Sequence, residues 1–299
     1  MSLAPRAVLV HRITEYEELL ARHGTRGQAA YFLSSRERDI RDVETRHEAQ
    51  EAAMAAVAAA IPLDWRRGLV ERRDLSRFLF DPDDVIVVVG QDGLVANAAK
   101  YLNDQVVIGI NPDPARNPGI LVPHQAAEAE ELLRAAIEPR VSERVEARTM
   151  VEAVVDDGQR ISALNELYVG HPSHQTARYA LHVPEGETEH QASSGLLVAT
   201  GTGATGWARS VWLERHSEIG LPACTDPYLA WFVREAWPSP ATGLSLTEGR
   251  LEDGADLSIS VESDRLVTFG DGIEADAVSL SWGQTIVIRR AGRRLHLLR

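Results

Sequence analysis

The feature that most constrains the fold is a short apolar run that ends in a glycine-rich turn. In VIVVVGQDGLVANAAKYL, residues Val85 to Leu102, β-branched residues lead into the turn GQDG, which starts at Gly90, and helix-forming residues follow. An uninterrupted apolar strand followed by a turn and a helix is typical of a parallel sheet that is covered on both faces. The N–H groups at the start of such a helix can also bind a phosphate. The turn is therefore either a phosphate site or a plain strand-to-helix connection.

Strand-like and helix-like segments alternate through the first half of the chain. The strand-like segments include RAVLVHR from Arg6 and VVIGINPDP from Val106. The predicted helices are TEYEELLARHG, a long helix from Ser34 or Ser35 to Pro62, one from about Leu94 to Leu102, and one within Ala126 to Val141. This alternation predicts an α/β domain over residues 1–145.

From about Arg148 the pattern changes to short β-rich runs separated by Gly, Asp and Pro. These runs include TMVEAVVDDG, LNELYVG, ARYALHVPEG, GLLVATG, LSISVES, RLVTFGDG, AVSLSWG and TIVIRRAG. Such spacing is typical of an antiparallel sandwich or barrel. Between Arg209 and Pro240 a tryptophan-containing stretch is predicted as helix and loop. We therefore expect an all-β domain over residues 146–299.

The composition argues against several classes of function. The net charge of −13 is unfavourable for a nucleic-acid partner, because phosphate backbones require a basic face. The single cysteine, Cys224, rules out an intrachain disulfide and indicates a reducing compartment. No apolar run approaches the roughly 18 residues of a membrane-spanning helix, and the N-terminus has no secretion signal. We expect a cytoplasmic protein with neither nucleic-acid nor membrane partners. Since Lys100 is the single lysine among 31 Lys and Arg residues, phosphate-binding cations should be arginines.

Asp92 gives the glycine-rich turn an unusual charge. A carboxylate repels a phosphate. Asp92 is therefore explained if it accepts a proton from a hydroxyl group or binds a magnesium ion. The strand that follows ends at Asn111, in the segment VVIGINPDPARNPGILVP. Because ligands of open α/β sheets bind at the carboxyl ends of strands, Asn111 and the Gly90 turn should lie on one edge. The alternative for the Asn111 segment is a rigid loop without a ligand.

Two stretches in the β-rich half carry further polar groups. In ALNELYVG, Asn165 and Glu166 interrupt a strand, and an amide beside a carboxylate can hold the two hydroxyls of a ribose. In SSGLLVATGTGATGWARS a strand enters a Gly/Thr-rich loop, which allows close approach of a ligand to the backbone, and Trp207 offers a ring face to a base. The alternatives are a solvated strand edge for the first stretch and a flexible turn for the second.

Taken together and in this order, the four stretches resemble the NAD kinase family. That family carries GGDGT, then an Asn-Glu pair, then a Thr-Pro-Thr-Gly-Ser-Thr-type loop, where this chain has GQDGL, LNE and TGTGATGW. The resemblance is closest to the mitochondrial type, which also has IGxNxDPxRxxGxLxxP, ALNE, and SSGL followed by TGTG and a tryptophan. It covers the chain from about Arg6 to the C-terminus, with weaker matching between Arg209 and Glu248.

The resemblance implies a fold and a reaction. The fold would be an α/β domain like that of phosphofructokinase, followed by a β sandwich, with about the last dozen residues packed on the first domain. The reaction would be transfer of the terminal phosphoryl group of ATP, or of polyphosphate, to the 2′-hydroxyl of NAD, giving NADP in the cleft between the domains. Mg²⁺ would bridge the donor phosphates, and the protein would be a homodimer or a higher homo-oligomer.

The resemblance also implies roles for individual residues. Asp92 would be the general base for the 2′-hydroxyl. No residue is assigned as a metal ligand, and Asp271-Gly272 corresponds to a turn that we interpret as structural. The remaining roles are donor and phosphate binding by Gly90, Gln91, Gly93 and Asn111, ribose binding by Asn165 and Glu166, and contact with the substrate nucleotide by Thr205, Trp207 and Ser210.

The chain departs from the family pattern in the glycine-rich turn. Gln91 replaces the second glycine, and if that position requires a positive φ the glutamine costs roughly 1–2 kcal/mol. Leu94 replaces a threonine and removes a hydroxyl that could donate to a phosphate oxygen or bind magnesium, while Ser194 replaces an aspartate, as in the mitochondrial type. Two alternatives therefore stay open. One is a catalytically silent NAD(P)-binding protein, and the other is a lipid kinase, because diacylglycerol kinases share the GGDGT turn.

Overall fold

The computed structural model describes residues 4–173 and 175–299, which divide into two units. The first unit runs to Glu146 and also includes His296–Arg299, and the second unit is Ala147–Leu295. The long last strand, Thr285–Leu298, therefore contributes to both units.

The first unit is built on a parallel sheet. Its strand order is β2-β1-β3-β4, and the end of the last strand, β16, pairs in parallel with β4 through His296 and Leu297. Every residue of β3 is buried, as expected for an apolar strand that is covered on both faces. The strands are β1 Arg6–His11, β2 Arg66–Glu71, β3 Asp84–Val89 and β4 Val106–Ile110.

In the described part of the first unit, from residue 4 onward, there are five α-helices. A buried cluster joins α3 and α5 to one face of the sheet, and Leu298 is fully buried within it. No helix in the described part of the chain combines the length and the apolar character that crossing a bilayer requires. The helices are α1 Glu15–His23, α2 Arg26–Ser34, α3 Ile40–Ala60, α4 Asp92–Ala99 and α5 Ala129–Ala136, with 3₁₀ turns at Arg72–Arg77, Ala126–Glu128 and Val141–Glu143.

The prediction of one long helix starting at Ser34 or Ser35 is wrong at its beginning. Ser34 is the last residue of α2, and Glu37 adopts a left-handed conformation with φ 57°. Asp39 then caps α3 by accepting the N–H of Arg41, which explains why the helix begins at Ile40. The helix ends before Pro62 because the residue that precedes a proline is driven into extended backbone.

The second unit is an antiparallel β sandwich. One sheet has the order β12-β11-β10-β7-β14-β15, and the other contains β16, β13, β8 and β9 together with β5 and β6. Alternate side chains of both sheets form one core, so Leu167 and Val169 point inward while Glu166 and Tyr168 lie on the opposite face of β7. The strands are β5 Val145–Val155, β6 Arg160–Ala163, β7 Glu166–Gly170, β8 Ala177–His182, β9 Thr188–Ser193, β10 Gly195–Ala199, β11 Leu229–Arg234, β12 Glu248–Leu251, β13 Leu257–Val261, β14 Arg265–Gly270, β15 Ile273–Ser281 and β16 Thr285–Leu298.

The segment between Arg209 and Pro240 contains a strand that the sequence analysis does not predict. Helix α6, Trp207–Arg215, and a following loop agree with the prediction, but Leu229–Arg234 is β11, between β10 and β12. One face of β11 lies in the sandwich core and the other lies under α6. Because both faces are buried, the strand shows no alternation of polar and apolar residues that would reveal it.

A partly buried ion pair fixes the starts of β1 and β3. The Asp84 carboxylate is 3% exposed and accepts hydrogen bonds from Arg6 Nε at 2.7 Å and from Arg6 Nη2 at 2.6 Å. It also accepts the N–H of Asp81 at 2.8 Å. These bonds satisfy both carboxylate oxygens, so the charge is buried with its partners in place.

We expect Asp84→Asn to lower the free energy of unfolding by about 1–3 kcal/mol, because the amide cannot accept both bonds from Arg6. The neighbouring Asp83 is exposed, and Asp83→Asn should change stability by less than about 0.5 kcal/mol. Urea denaturation followed by circular dichroism measures both variants. Equal losses in the two variants would show that the ion pair does not stabilise the unit.

Candidate functional site

The glycine-rich turn connects β3 to α4. Gln91 occupies the position before the helix with φ −103° and ψ 165°, which is ordinary extended backbone. The condition for backbone strain, a positive φ at Gln91, is therefore not met, and glutamine is tolerated there without backbone cost. The side chain of Leu94 is 5% exposed and packs on the turn, so that a Cβ added at Gly90 would lie 3.0 Å from Leu94 Cδ2. Leu94 thus fills the inner side of the turn.

Asp92, the first residue of α4, holds a neighbouring loop. Its Oδ2 accepts the N–H of Ile120 at 3.0 Å, and its Oδ1 accepts the N–H groups of Leu121 at 2.8 Å and Val122 at 3.2 Å. The same loop crosses β4 closely, because a Cβ at Gly109 would lie 2.0 Å from the Leu121 carbonyl oxygen. A carboxylate offers about four lone-pair sites, so Asp92 retains capacity for a further donor.

Asn111 lies next to this turn at the end of β4, as the strand order predicts. The N–H of Gly90 donates to the carbonyl oxygen of Ile110 at 3.0 Å, which places the two strand ends side by side. The Asn111 side chain is 5% exposed, donates to the Asn117 carbonyl oxygen and accepts the N–H of Asp113. Its amide therefore shapes the loop that follows β4.

In the second unit, the chain leaves the sheet for two residues, Leu164 and Asn165, before β7 begins. Their backbone groups are hydrogen-bonded by two residues, Asp271 and Thr200. Asp271 accepts the N–H of Leu164 through Oδ2 at 3.0 Å and that of Asn165 through Oδ1 at 2.6 Å. The Thr200 hydroxyl donates to the Leu164 carbonyl oxygen at 2.5 Å, and the Thr200 N–H donates to the Asn165 carbonyl oxygen at 2.9 Å.

Thr200 also starts the Gly/Thr-rich loop. Its hydroxyl oxygen accepts the N–H groups of Thr202 at 3.1 Å and Gly203 at 3.3 Å. At Gly203 a Cβ would lie 2.2 Å from the Asn165 carbonyl oxygen, so this position must be glycine. The Asn165-Glu166 pair and the loop are therefore one hydrogen-bonded assembly.

Unlike their backbone groups, the side chains of Asn165 and Glu166 are not hydrogen-bonded to the described part of the protein. Within residues 4–173 and 175–299, no protein group forms a hydrogen bond or an ion pair with either side chain, although the backbone of both residues is fixed. Burial, and then the nearby charge of Asp271, raise the pKa of the Glu166 carboxyl to about 7. The pair thus presents an amide and a readily titrated carboxyl to a ligand.

Trp207 begins α6, immediately after the loop. Its ring stacks on that of Tyr168, with 5.6 Å between centroids and 28° between planes, and the Arg234 guanidinium carbon lies 5.2 Å from its centroid. Since Tyr168 and Glu166 share one face of β7, the structure brings Trp207 to the face that carries Glu166.

The other two residues of the loop region have local bonds. The Thr205 hydroxyl donates to the Thr202 carbonyl oxygen at 2.8 Å, and the Ser210 hydroxyl donates to that of Gly206 at 3.5 Å. Both residues are exposed and remain accessible to a ligand.

Three residues of this assembly are absent from the sequence predictions. Thr200 is the first residue of the loop, and its position before a GTG sequence is the signal that marks it. Tyr168 could have been found from its spacing of two residues from Glu166. Arg148 is 4% exposed and its Nη1 donates to the Thr202 hydroxyl at 3.2 Å, and an arginine within an apolar strand is the corresponding signal.

Sequence comparison finds similar proteins that are named NAD kinases or NADH kinases. No protein-family model matches the sequence. The rat mitochondrial NAD kinase 2 is 28% identical over 186 residues, covering 48% of this chain and 44% of that protein. A probable NADH kinase of rice is 30% identical over 167 residues (48% and 50%), and an NAD kinase of Marinomonas sp. is 34% identical over 142 residues (44% and 46%). The matched part therefore spans about half the length of these curated relatives.

A solved structure shows the same fold over almost the whole chain. An NAD kinase from Archaeoglobus fulgidus in complex with ATP superposes with a TM-score of 0.59 at 18% identity, covering 98% of this chain and 93% of that one. The predicted fold class, an α/β domain followed by a β sandwich, is confirmed. In sequence and in fold the chain is similar to NAD kinases, the mitochondrial type included, and the predicted resemblance to that family is confirmed.

Proposed function

We propose that this protein transfers the terminal phosphoryl group of ATP or polyphosphate to the 2′-hydroxyl of NAD, giving NADP. The observation that carries the proposal is the Asn165-Glu166 pair, whose backbone is fixed while its side chains have no partner in the described chain. The names of the relatives, which are NAD and NADH kinases, support the same reaction.

The pair suits a ribose. Two neighbouring hydroxyls can both donate to an ionised Glu166 carboxylate, and the Asn165 amide can donate and accept at once. The Gly/Thr-rich loop, with exposed Thr205 and Ser210, offers backbone and hydroxyl groups beside the pair, and Trp207 offers an aromatic edge to the nucleotide. These groups favour a dinucleotide over a lipid substrate.

The first unit would supply the donor side. The start of α4 directs N–H groups and the positive end of the helix dipole towards a phosphate at Gly90 to Gly93, next to Asn111. Asp92 would accept the proton of the 2′-hydroxyl through a lone pair that its loop contacts leave open. Mg²⁺ would arrive with the donor as its counterion, and most of the catalysis would be positioning and charge stabilisation. The reaction requires the turn and the Gly/Thr-rich loop to act on the same NAD molecule.

The proposal extends to the context of the reaction. We propose a donor domain of residues 1–145 and an NAD-binding domain of residues 146–299, and a homodimer or higher homo-oligomer, by resemblance to the family. A cytoplasmic location and the absence of nucleic-acid or membrane partners are supported by the single cysteine and the net charge of −13.

A silent NAD(P)-binding protein is the second candidate, and two observations favour it. Both oxygens of Asp92 already accept backbone N–H groups, and Leu94 fills the turn where the family has a hydroxyl. Formation of NADP from NAD and Mg-ATP by the purified protein, measured beside NAD binding by calorimetry, separates the two candidates.

Asp92→Asn should lower the turnover number on the order of a hundredfold or more, because the positioned base is lost. NAD affinity should change little, since Asp92 does not belong to the Asn165-Glu166 assembly. Steady-state rates of NADP formation and NAD titrations test this, with Asp83→Asn, at the opposite end of β3, as the matched control. A similar loss of turnover in both variants would show that Asp92 is not the general base.

The double variant Gln91→Gly, Leu94→Thr restores the family pattern of the turn. It should leave NAD binding intact and raise turnover or ATP affinity by restoring a hydroxyl and making room for a phosphate. Because Gln91 is unstrained, the gain should come from Leu94→Thr, at the cost of about 1–3 kcal/mol of stability from lost packing. The single variants separate the two changes. If wild type forms no NADP with ATP or polyphosphate and the double variant gains none, the silent-binder candidate replaces the kinase.

NAD affinity should depend on pH through Glu166, whose pKa is about 7 in the free protein. Ribose hydroxyls donate to the ionised form, so affinity should be full well above pH 7 and fall as pH drops through 7, approaching tenfold per pH unit. Calorimetry in buffers of different ionisation enthalpy should detect proton release on binding near pH 7.

Glu166→Gln should abolish this pH dependence, and Glu166→Ala should weaken binding by roughly 1–3 kcal/mol. Undetectable binding of any adenine dinucleotide at millimolar concentration would contradict the assignment.

A further inference from the structure

Asp271 lies in the two-residue connection between β14 and β15. Gly270 pairs with Ile273, and Asp271 and Gly272 both have positive φ, 54° and 66°. This is the geometry of a type I′ hairpin, in which Asn-Gly and Asp-Gly are the favoured sequences. The turn itself therefore needs no carboxylate, because an asparagine would serve it equally well.

The carboxylate has a separate task outside the hairpin. Leu164 and Asn165 direct two successive N–H groups at it, one towards each oxygen, while the Asp271 N–H donates to the Glu166 carbonyl oxygen at 3.1 Å. Two adjacent donors require two acceptors at one place. A carboxylate supplies both, whereas an amide supplies one oxygen and turns an NH₂ group towards the second donor.

We propose that Asp271 is a positioning residue of the dinucleotide site. Its carboxylate fixes the backbone of Leu164 and Asn165, so that the side chains of Asn165 and Glu166 are held ready for the ribose. Through Thr200, which bonds the carbonyl groups of the same two residues, it also sets the Gly/Thr-rich loop against the pair. The inference rests on the proposed function, since it assigns a role in binding NAD.

Asp271→Asn separates the two tasks, because it keeps the hairpin turn and removes the second acceptor and the charge. A matched control is Asp156→Asn, which alters another carboxylate that accepts a backbone N–H in this unit, that of Thr285 at 2.9 Å. At pH 8, where Glu166 is mostly ionised in wild type, Asp271→Asn should raise the Kd for NAD on the order of tenfold or more through misplacement of the pair. Asp156→Asn should leave the Kd within about twofold of wild type.

The pH profile provides a readout that loss of stability alone would not move. Because the charge of Asp271 contributes to the raised pKa of Glu166, the midpoint of the pH dependence of NAD affinity should shift to lower pH in Asp271→Asn. The difference in Kd between wild type and this variant should therefore narrow at pH 6. An unchanged midpoint, or a Kd at pH 8 within twofold of wild type, would overturn the proposal.

Hydrogen exchange without NAD makes the test independent of the proposed function. In Asp271→Asn, peptides covering residues 163–167 and 200–206 should exchange faster than in wild type or in Asp156→Asn. If wild type binds no NAD, the proposed function fails, and these exchange rates still decide whether Asp271 fixes the pair and the loop. Wild-type exchange rates in both peptides would refute the inference. Should Asp271→Asn fold poorly, Asp271→Gly replaces it, because Gly-Gly also suits the type I′ turn.

Discussion

The candidate site of the second unit depends on one requirement of backbone chemistry. Where the chain leaves the sheet at Leu164 and Asn165, two N–H groups and two carbonyl groups lose their ladder partners, and buried backbone groups without partners are costly. Asp271 bonds both donors and Thr200 bonds both acceptors. The interruption can therefore persist inside a well-packed sandwich, and the side chains of Asn165 and Glu166 are not needed to stabilise it.

The first unit uses the same device for a different end. Asp92 gathers three successive N–H groups of a loop, as Asp271 gathers two, and in each case glycine allows the backbone to approach closely, at Gly109 and Gly203 respectively. The difference lies in which group stays available to a ligand. In the second unit Asp271 holds the backbone, and the side chains of Asn165 and Glu166 stay available to a ligand. In the first unit Asp92, the carboxylate that holds the loop, is itself the candidate base.

Much of the architecture could be predicted from local signals. The buried β3 and the helix α1, with Thr14 at its start and Gly24 after its end, follow from an apolar run and from capping residues. The break near Glu37 and the strand β11 could not be predicted in this way. At the first, a cap at Asp39 competes with high helix propensity, and at the second, burial on both faces removes the periodic pattern.

The candidate site could likewise be predicted only in part from the sequence. Its four stretches could be located because Gly, Asn, Asp and Thr clusters interrupt apolar runs, and their roles remain predictions. The conformation of Gln91 could not be known, since it depends on how β3 meets α4. Nor could the partners of Asp271, because they lie more than a hundred residues earlier in the chain.

The last strand has a consequence for how the protein forms during synthesis. β16 begins in the second unit, and its final residues complete the first, where His296 and Leu297 pair with β4 and Leu298 is buried beneath the helices. The parallel sheet of the first unit therefore still lacks its last strand when the residues up to Glu146 have emerged from the ribosome. The β4 edge at Val106 and Val107 stays unpaired until the whole β sandwich has been translated, and an unpaired strand edge is prone to aggregation during folding.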